Sequence, residues 1–265
     1  MSEALTPLPP DSFVKSCCAD VWSHPGVRLL FGQALRPGGT GLTGHALELL
    51  GLPVAARVLD LGSGPGATLT LLKERGMRPV GADYSRALAA EAAAVAPSVA
   101  ADAERPPFRS RSMDAVFMEC VLSAVPDKRA ALGEVVRLLR PGGLFALSDV
   151  VVEGPLAPPL DSFAGWLACA AGALPAEGYA ALLDDAALAI EVREDHRASM
   201  SAMLAQVARR LALIRGSIRA GVVDAGAAGV DEGLVETGAG LVAAARESVE
   251  AGLLGYALFI GRSRR

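Results

Sequence analysis

Between residues 55 and 152 short apolar runs alternate with helical stretches, and this alternation restricts the fold more than any other feature. The strand-like runs are ARVLDLG, RPVGADYS, the middle of VAADAERPPF, MDAVFMECVL and LFALSDVVV. Between them lie ATLTLLKERG, closed by Gly76, then RALAAEAAAVA, and DKRAALGEVVRLLRPGG with its Pro-Gly-Gly stop. Parallel neighbours need a crossover that returns over the sheet, so the pattern predicts an α/β fold with a doubly wound parallel sheet and helices on both faces.

The flanks follow other rhythms. Pro7, Pro9 and Pro10 keep the first stretch extended. A helical segment is expected over residues 11–35, then a glycine-rich turn, RPGGTGLT. A short helix follows in GLTGHALELLGL, with Leu42, Ala46, Leu49 and Leu50 on one face. Beyond Glu153, GPLAPPLD reads as a loop, with helices near 162–172 and 176–185 and a sixth strand in LAIEVRED. Met200, Met203, Leu204, Val207, Leu211 and Ile214 repeat at helical spacing. AGVVDAGAAGVDEG reads as a flexible joint, LVETGAGLVAAARESVEAG as a helix weakened at Gly238 and Gly240, and LLGYALFIGRSR as a closing strand. The expected divisions are a lead-in or lid (1–54), a core (55–194), a helical insert (195–252) and a last core strand (253–265).

Composition removes several classes of function. The chain has 265 residues, 52% of them hydrophobic, enough for a sizeable core. A net charge of −4 argues against a nucleic-acid partner, whose backbone needs clustered Lys and Arg. No apolar run reaches the roughly 18 residues of a membrane span, and no leader pattern precedes the first helix, so the expectation is a cytoplasmic protein with reduced thiols. Its four cysteines are Cys17, Cys18, Cys120 and Cys169. A disulfide between the adjacent Cys17 and Cys18 would need a strained ring. His24, His45 and His196 show no zinc-type spacing, and no metal is expected. His24 and His45 flank the lead-in turn, where either is a candidate base or an ordinary cap.

The sharpest chemical signal is VLDLGSGPGA. A strand ends at Asp60, and Gly62, Gly64 and Gly66 fall in the turn that opens a helix. Such a loop lets a ligand approach the backbone, and the helix start favours an anion. The G-x-G-x-G spacing differs from the dinucleotide pattern and suits a ligand without a pyrophosphate. Asp83, ending the second strand, can accept two ribose hydroxyls, and Asp102, after the third, can meet an adenine amino group. Ser148 and Asp149 end the fifth strand and face the same crevice by topology. Trp22 and Trp166 are candidate pocket walls.

From residue 57 to 151, VLDLGSGPG, VGADYS, ADAERPPF, MDAVFMECVLSAVPD and LRPGGLFALSDVV together resemble the class I S-adenosylmethionine-dependent methyltransferases. The resemblance implies a Rossmann-like, doubly wound sheet of seven strands, the last one antiparallel and supplied by GYALFIG. It implies S-adenosyl-L-methionine as cofactor. Asp60, Gly62, Ser63 and Gly64 would hold its methionine end, Asp83 the ribose, and Asp102 with Ala103 the adenine, with Tyr84 and Glu119 completing the set. The reaction would be in-line displacement at a sulfonium methyl, to which alignment alone contributes roughly 7–11 kcal/mol.

Within that family, SCCADVW, ECVLSAVPDKRAALGEVVRLLRPGGLFALSDV and GWLACAAGALPAEGYAALL resemble arsenite methyltransferases and related small-molecule enzymes. The resemblance implies that Cys17, Cys18, Cys120 and Cys169 hold a thiophilic metalloid acceptor. Two cysteines of that family, one just before the core and one downstream of Cys169, have no counterpart here. Carbon or oxygen methylation of a quinone- or polyketide-like molecule, which needs no cysteines, is the alternative. A silent cofactor-binding scaffold and a nicotinamide-dependent oxidoreductase are further ones. The insert is expected to act as a lid over a larger acceptor or as a homodimer face.

Overall fold

A computed structural model describes residues 11–32, 34, 36–156, 158–162, 169–220 and 232–265. The lead-in is three helices: α1 (Asp11–Ser23), α2 (Pro25–Phe31) and α3 (Gly39–Leu50). The single helix expected over 11–35 is broken because Pro25 can begin a helix but cannot continue one. His24 caps α2, its Nδ1 accepting from the Gly26 N–H at 3.1 Å. On α3 the buried face is Leu42, Ala46, Leu47 and Leu50. Leu49, assigned to that face from spacing, is instead 38% exposed.

The alternating core follows as β1 (Arg57–Leu61), α4 (Ala67–Glu74), β2 (Arg78–Asp83), α5 (Arg86–Ala92), β3 (Ser98–Ala100), β4 (Met113–Glu119), α6 (Lys128–Leu138) and β5 (Leu139–Val152). Strand β5 begins five residues earlier than its apolar run, because Leu139 already pairs with Met113 before the register shifts. The chain then forms α7 (Ala176–Asp185), β6 (Leu188–Asp195), α8 (Arg197–Arg219), α9 (Glu232–Glu250) and β7 (Leu254–Ser263). Gly238 and Gly240 do not interrupt α9. The joint expected near 220–233 lies largely outside the described residues, as do Trp166 and most of the helix expected over 162–172. Residues 169–172 of that stretch form a turn.

The seven strands make one sheet in the order β3-β2-β1-β4-β5-β7-β6, with β7 antiparallel to both neighbours. Alternate residues face opposite layers. Val58, Phe117, Ala146, Val150, Tyr256 and Leu258 pack with α3, α8 and α9. Leu59, Val116, Phe145, Leu147 and Phe259 pack with α6 and α7. In this topology β1 and β4 are the central parallel strands, and their carboxyl ends open toward the lead-in helices, where a crevice is expected. Among the described residues no helix is long and apolar enough to cross a membrane.

Candidate active site

The β1–α4 loop forms the floor of a cleft of about 160 Å³. Gly62 has φ of +87°, and a Cβ there would fall 2.2 Å from Val121 Cγ2, so conformation and space both require glycine. The Gly62 and Ser63 N–H groups donate to the Ala82 carbonyl at 2.7 and 3.0 Å. Asp83 fixes the loop from the next strand: its Oδ2 accepts from the Gly64 N–H and its Oδ1 from the Ser85 N–H, both at 2.8 Å. Burial pushes the Asp83 carboxyl up, opposed by those two backbone bonds. Gly62, Ser63, Gly64, Asp83, Tyr84, Asp102, Ala103 and Glu119 all line the cleft, as their sequence positions suggested. Asp60 does not. It is buried beside the loop with Oδ2 unpartnered, its pKa driven well up by burial and then by Glu119.

Helix α1 roofs the cleft with Lys15, Cys18, Ala19 and Trp22, one helical face at i, i+3, i+4 and i+7. Lys15 Nζ bridges Asp102 Oδ2 at 2.8 Å and Glu104 Oε2 at 2.7 Å. Burial opposes the Lys15 charge, but the two carboxylates outweigh it and raise its pKa. The Ser23 and Ser85 hydroxyls meet at 2.7 Å and fasten the other end of α1. Asp102 therefore lines the cleft and also holds the roof helix in place.

A buried polar cluster closes the inner wall, and of its members only Glu119 was a candidate from the sequence. Arg36 Nη2 lies 2.9 Å from Glu119 Oε2 and donates to Thr43 Oγ1 at 2.5 Å and Thr68 Oγ1 at 2.7 Å. Thr43 and Thr68 in turn donate to Glu119 Oε1 and Oε2 at 2.8 and 2.6 Å. The cluster ties the lead-in, α3 and α4 to the end of β4. Burial works against the Arg36 charge, but Glu119 leads the neighbours that keep it raised.

The cysteines divide. Cys18 is buried and lines the cleft. Cys17, about 100° around the helix, does not line it. Cys120 and Cys169 line it together, and both hold left-handed backbone, φ of +59° and +63°, which is uncommon for any residue but glycine. Cys169 sits in a turn rather than on the expected helix. The neighbouring Cys169 thiol, followed by burial, pushes the Cys120 thiol well above its ordinary range. Burial, then the nearby Cys169 and Cys17, pushes Cys18 up to about 12. Cys18 and Cys120 are thus protonated thiols at neutral pH. Cys18, Cys120 and Cys169 do not form a trio whose sulfurs all lie within 4.8 Å of one another.

Beyond the cleft lies a larger chamber of about 360 Å³. Its walls come from α2 (Leu30, Phe31), α8 (Met203, Leu204, Val207) and α9 (Leu241, Val242, Ala245), and are apolar apart from a few groups such as His24 and Thr237. Trp22 and Cys120 line both spaces, so cleft and chamber adjoin at those two side chains. The helical spacing in the insert marked this face as core. The same face also encloses the cavity together with α2, whose part in the wall had no sequence signal. Of the remaining candidates, Asp149 is a backbone clamp, accepting from the Ser123 N–H at 3.0 Å and the Val150 N–H at 2.8 Å. The Ser148 hydroxyl lies 3.0 Å from that of Tyr256.

Residues 59–147, about a third of the chain, match the family described as methyltransferase domain. The demethylmenaquinone methyltransferase of Mycolicibacterium paratuberculosis is 43% identical over 101 residues, which is 38% of this chain and 44% of that protein. The chain thus spans less than half the length of the curated relatives it matches. Among solved structures, the [4+2]-cyclase SpnF superposes with a TM-score of 0.75 at 20% identity, over 96% of each chain. The cyclopropane synthase MmaA2 from Mycobacterium tuberculosis gives 0.75 at 17% identity, over 93% of this chain and 98% of that one. A cyclase and a cyclopropane synthase share this architecture, so the chemistry must be argued from the site.

Proposed function

We propose that the protein is an S-adenosylmethionine-dependent methyltransferase whose acceptor is an apolar small organic molecule of quinone or polyketide type. The observation that carries this reading is the junction of the cleft with the apolar chamber at Trp22 and Cys120. The name of the relatives that match the domain supports it. The cleft fits the cofactor chemically: Ser63 Oγ is buried there without a partner, and Asp83 offers an ionisable acceptor beside a glycine-lined floor. When bound, S-adenosylmethionine supplies an electrophilic methyl group on sulfur.

The residues of the chain bind and orient. Ser63 and Gly64 serve the methionine end, Asp83 the ribose, and Asp102 and Ala103 the adenine, with Tyr84 at the rim. Glu119, neutralised by Arg36, fixes the wall. Lys15 holds α1 down and excludes water. His24 borders the chamber with Nδ1 occupied by the Gly26 N–H, which leaves Nε2 as its free ring nitrogen for an acceptor hydroxyl. Replacing Asp83 by alanine removes a ribose acceptor together with the clamp on Gly64. We expect cofactor affinity to fall by about tenfold, roughly the worth of one charge-assisted hydrogen bond. Calorimetry with S-adenosylhomocysteine checks this, and unchanged affinity removes the assignment.

A second reading, a thiophilic metalloid acceptor, is favoured by Cys120 and Cys169 lining the cleft together with Cys18 on the roof helix. Metalloid binding would displace the thiol protons. The two readings separate at Cys169→Ser. An organic acceptor predicts turnover within a few-fold of the parent, whereas a metalloid acceptor predicts loss of arsenite methylation with cofactor affinity unchanged.

A further inference from the structure

Among the described residues one trio of histidine, cysteine or acidic side chains brings its ligand atoms all within 4.8 Å of one another: His45, Glu194 and His196. His45 Nε2 lies 2.8 Å and His196 Nε2 2.9 Å from the same atom, Glu194 Oε2. The two imidazoles meet edge to face, with centroids 6.1 Å apart. The residues belong to three elements: His45 to α3, Glu194 to the end of β6, and His196 to the position capping α8. None of the three lines the cleft or the chamber.

Two imidazoles and one carboxylate, with no thiolate, are the protein ligands of zinc sites that keep a coordination position open. Nitrogen and oxygen ligands at about 2.0–2.2 Å in a tetrahedral shell stand roughly 3.3 Å apart. The two short contacts would open by about half an ångström from their 2.8 and 2.9 Å, and the histidine nitrogens already lie within 4.8 Å. The side chains are 42%, 31% and 20% exposed, so water can complete the shell and an ion can enter. Neutral imidazoles carrying the proton on Nδ1 would present both Nε2 lone pairs.

We propose that His45, Glu194 and His196 bind a divalent transition metal of the zinc type. The ion joins α3 to the edge strand and to the start of α8. One turn further along α8 comes Met200, and two turns along come Met203 and Leu204, all of the chamber wall, and two residues before His45 is Thr43, which donates to Glu119. The bound ion therefore clamps the acceptor chamber to the inner wall of the cleft without touching either ligand.

The test uses full-length, untagged protein stripped with a chelator. Calorimetry with Zn²⁺ should give one ion per chain with a Kd of micromolar order or tighter, and saturation should raise Tm, as ligand linkage requires. Co²⁺ should bind without a thiolate-to-metal charge-transfer band. Glu194→Gln and His196→Ala should each weaken Zn²⁺ binding at least tenfold, while Cys120→Ser should leave it unchanged. A Zn²⁺ Kd above about 1 mM, only ~4 kcal/mol of affinity, overturns the proposal. So does a charge-transfer band that survives His196→Ala. The Co²⁺ spectrum of the unsubstituted protein decides the ligand type even if a variant fails to fold. The outcome is independent of the acceptor.

Discussion

Arg36→Ala should cost about 3–5 kcal/mol of stability, the usual consequence of leaving one member of a buried ion pair without its partner. Glu119 would keep the Thr43 and Thr68 hydroxyls but lose its only nearby cation among the described residues, and both threonines would lose a donor. A domain of this size is stable by roughly 5–15 kcal/mol, so the variant should show a much lower urea midpoint or fail to accumulate. Arg36→Lys should fall between parent and alanine, because an ammonium keeps the charge but not the planar fork that reaches two threonines and a carboxylate. Combining Arg36→Ala with Glu119→Gln should be milder than the alanine change alone, since the stranded charge is gone. A loss below about 1 kcal/mol for Arg36→Ala would class the pair with solvent-screened surface bridges and contradict the burial described here.

Ala245→Phe should lower kcat/KM for an apolar acceptor by on the order of 100-fold or more, because a filled pocket discriminates at least as strongly as one that is a methylene too small. Ala245 is buried on α9 and faces the chamber, and it does not line the cofactor cleft. Affinity for S-adenosylhomocysteine should therefore stay within about twofold of the parent, below half a kilocalorie. Overpacking of this kind can cost about 1–3 kcal/mol, so the thermal midpoint must be measured beside the kinetics. Loss of cofactor binding would place the chamber on the wrong ligand. Normal kinetics in a folded variant would show that no acceptor occupies it.

The alternation of strands and helices was legible because each crossover leaves a local signature: an apolar run, a breaker, a helical stripe. The closing GYALFIG also proved to be the antiparallel β7. The lining of the cleft was legible for the same reason, since Gly62 and Asp83 lie close to their own strand ends. Arg36 was not. It lies in a Pro/Gly-rich turn that reads as a connector, and its partner is fixed only once the chain folds α3 onto β4. His45 and Glu194 are 149 residues apart, beyond any spacing rule. The two adjacent cysteines illustrate a finer limit. A helix turns Cys17 and Cys18 to different directions, but only the packing of α1 on the cleft selects Cys18. Leu49 and Leu47 exchanged places on α3 for the same reason, as residues on neighbouring faces compete and tertiary contact decides.

The most direct test of the proposed activity is mass spectrometry of products formed from S-adenosylmethionine bearing a trideuterated methyl group. The protein would be supplied in parallel with apolar quinone- and polyketide-type acceptors and with arsenite plus thiol. The expected result is a trideuteromethyl group on carbon or oxygen of at least one apolar acceptor, strongly reduced in Ala245→Phe, and no methylated arsenic. Labelled arsenic as the sole product, abolished by Cys169→Ser, would contradict the organic acceptor. An intact cofactor with no labelled product from any acceptor would contradict methyl transfer itself.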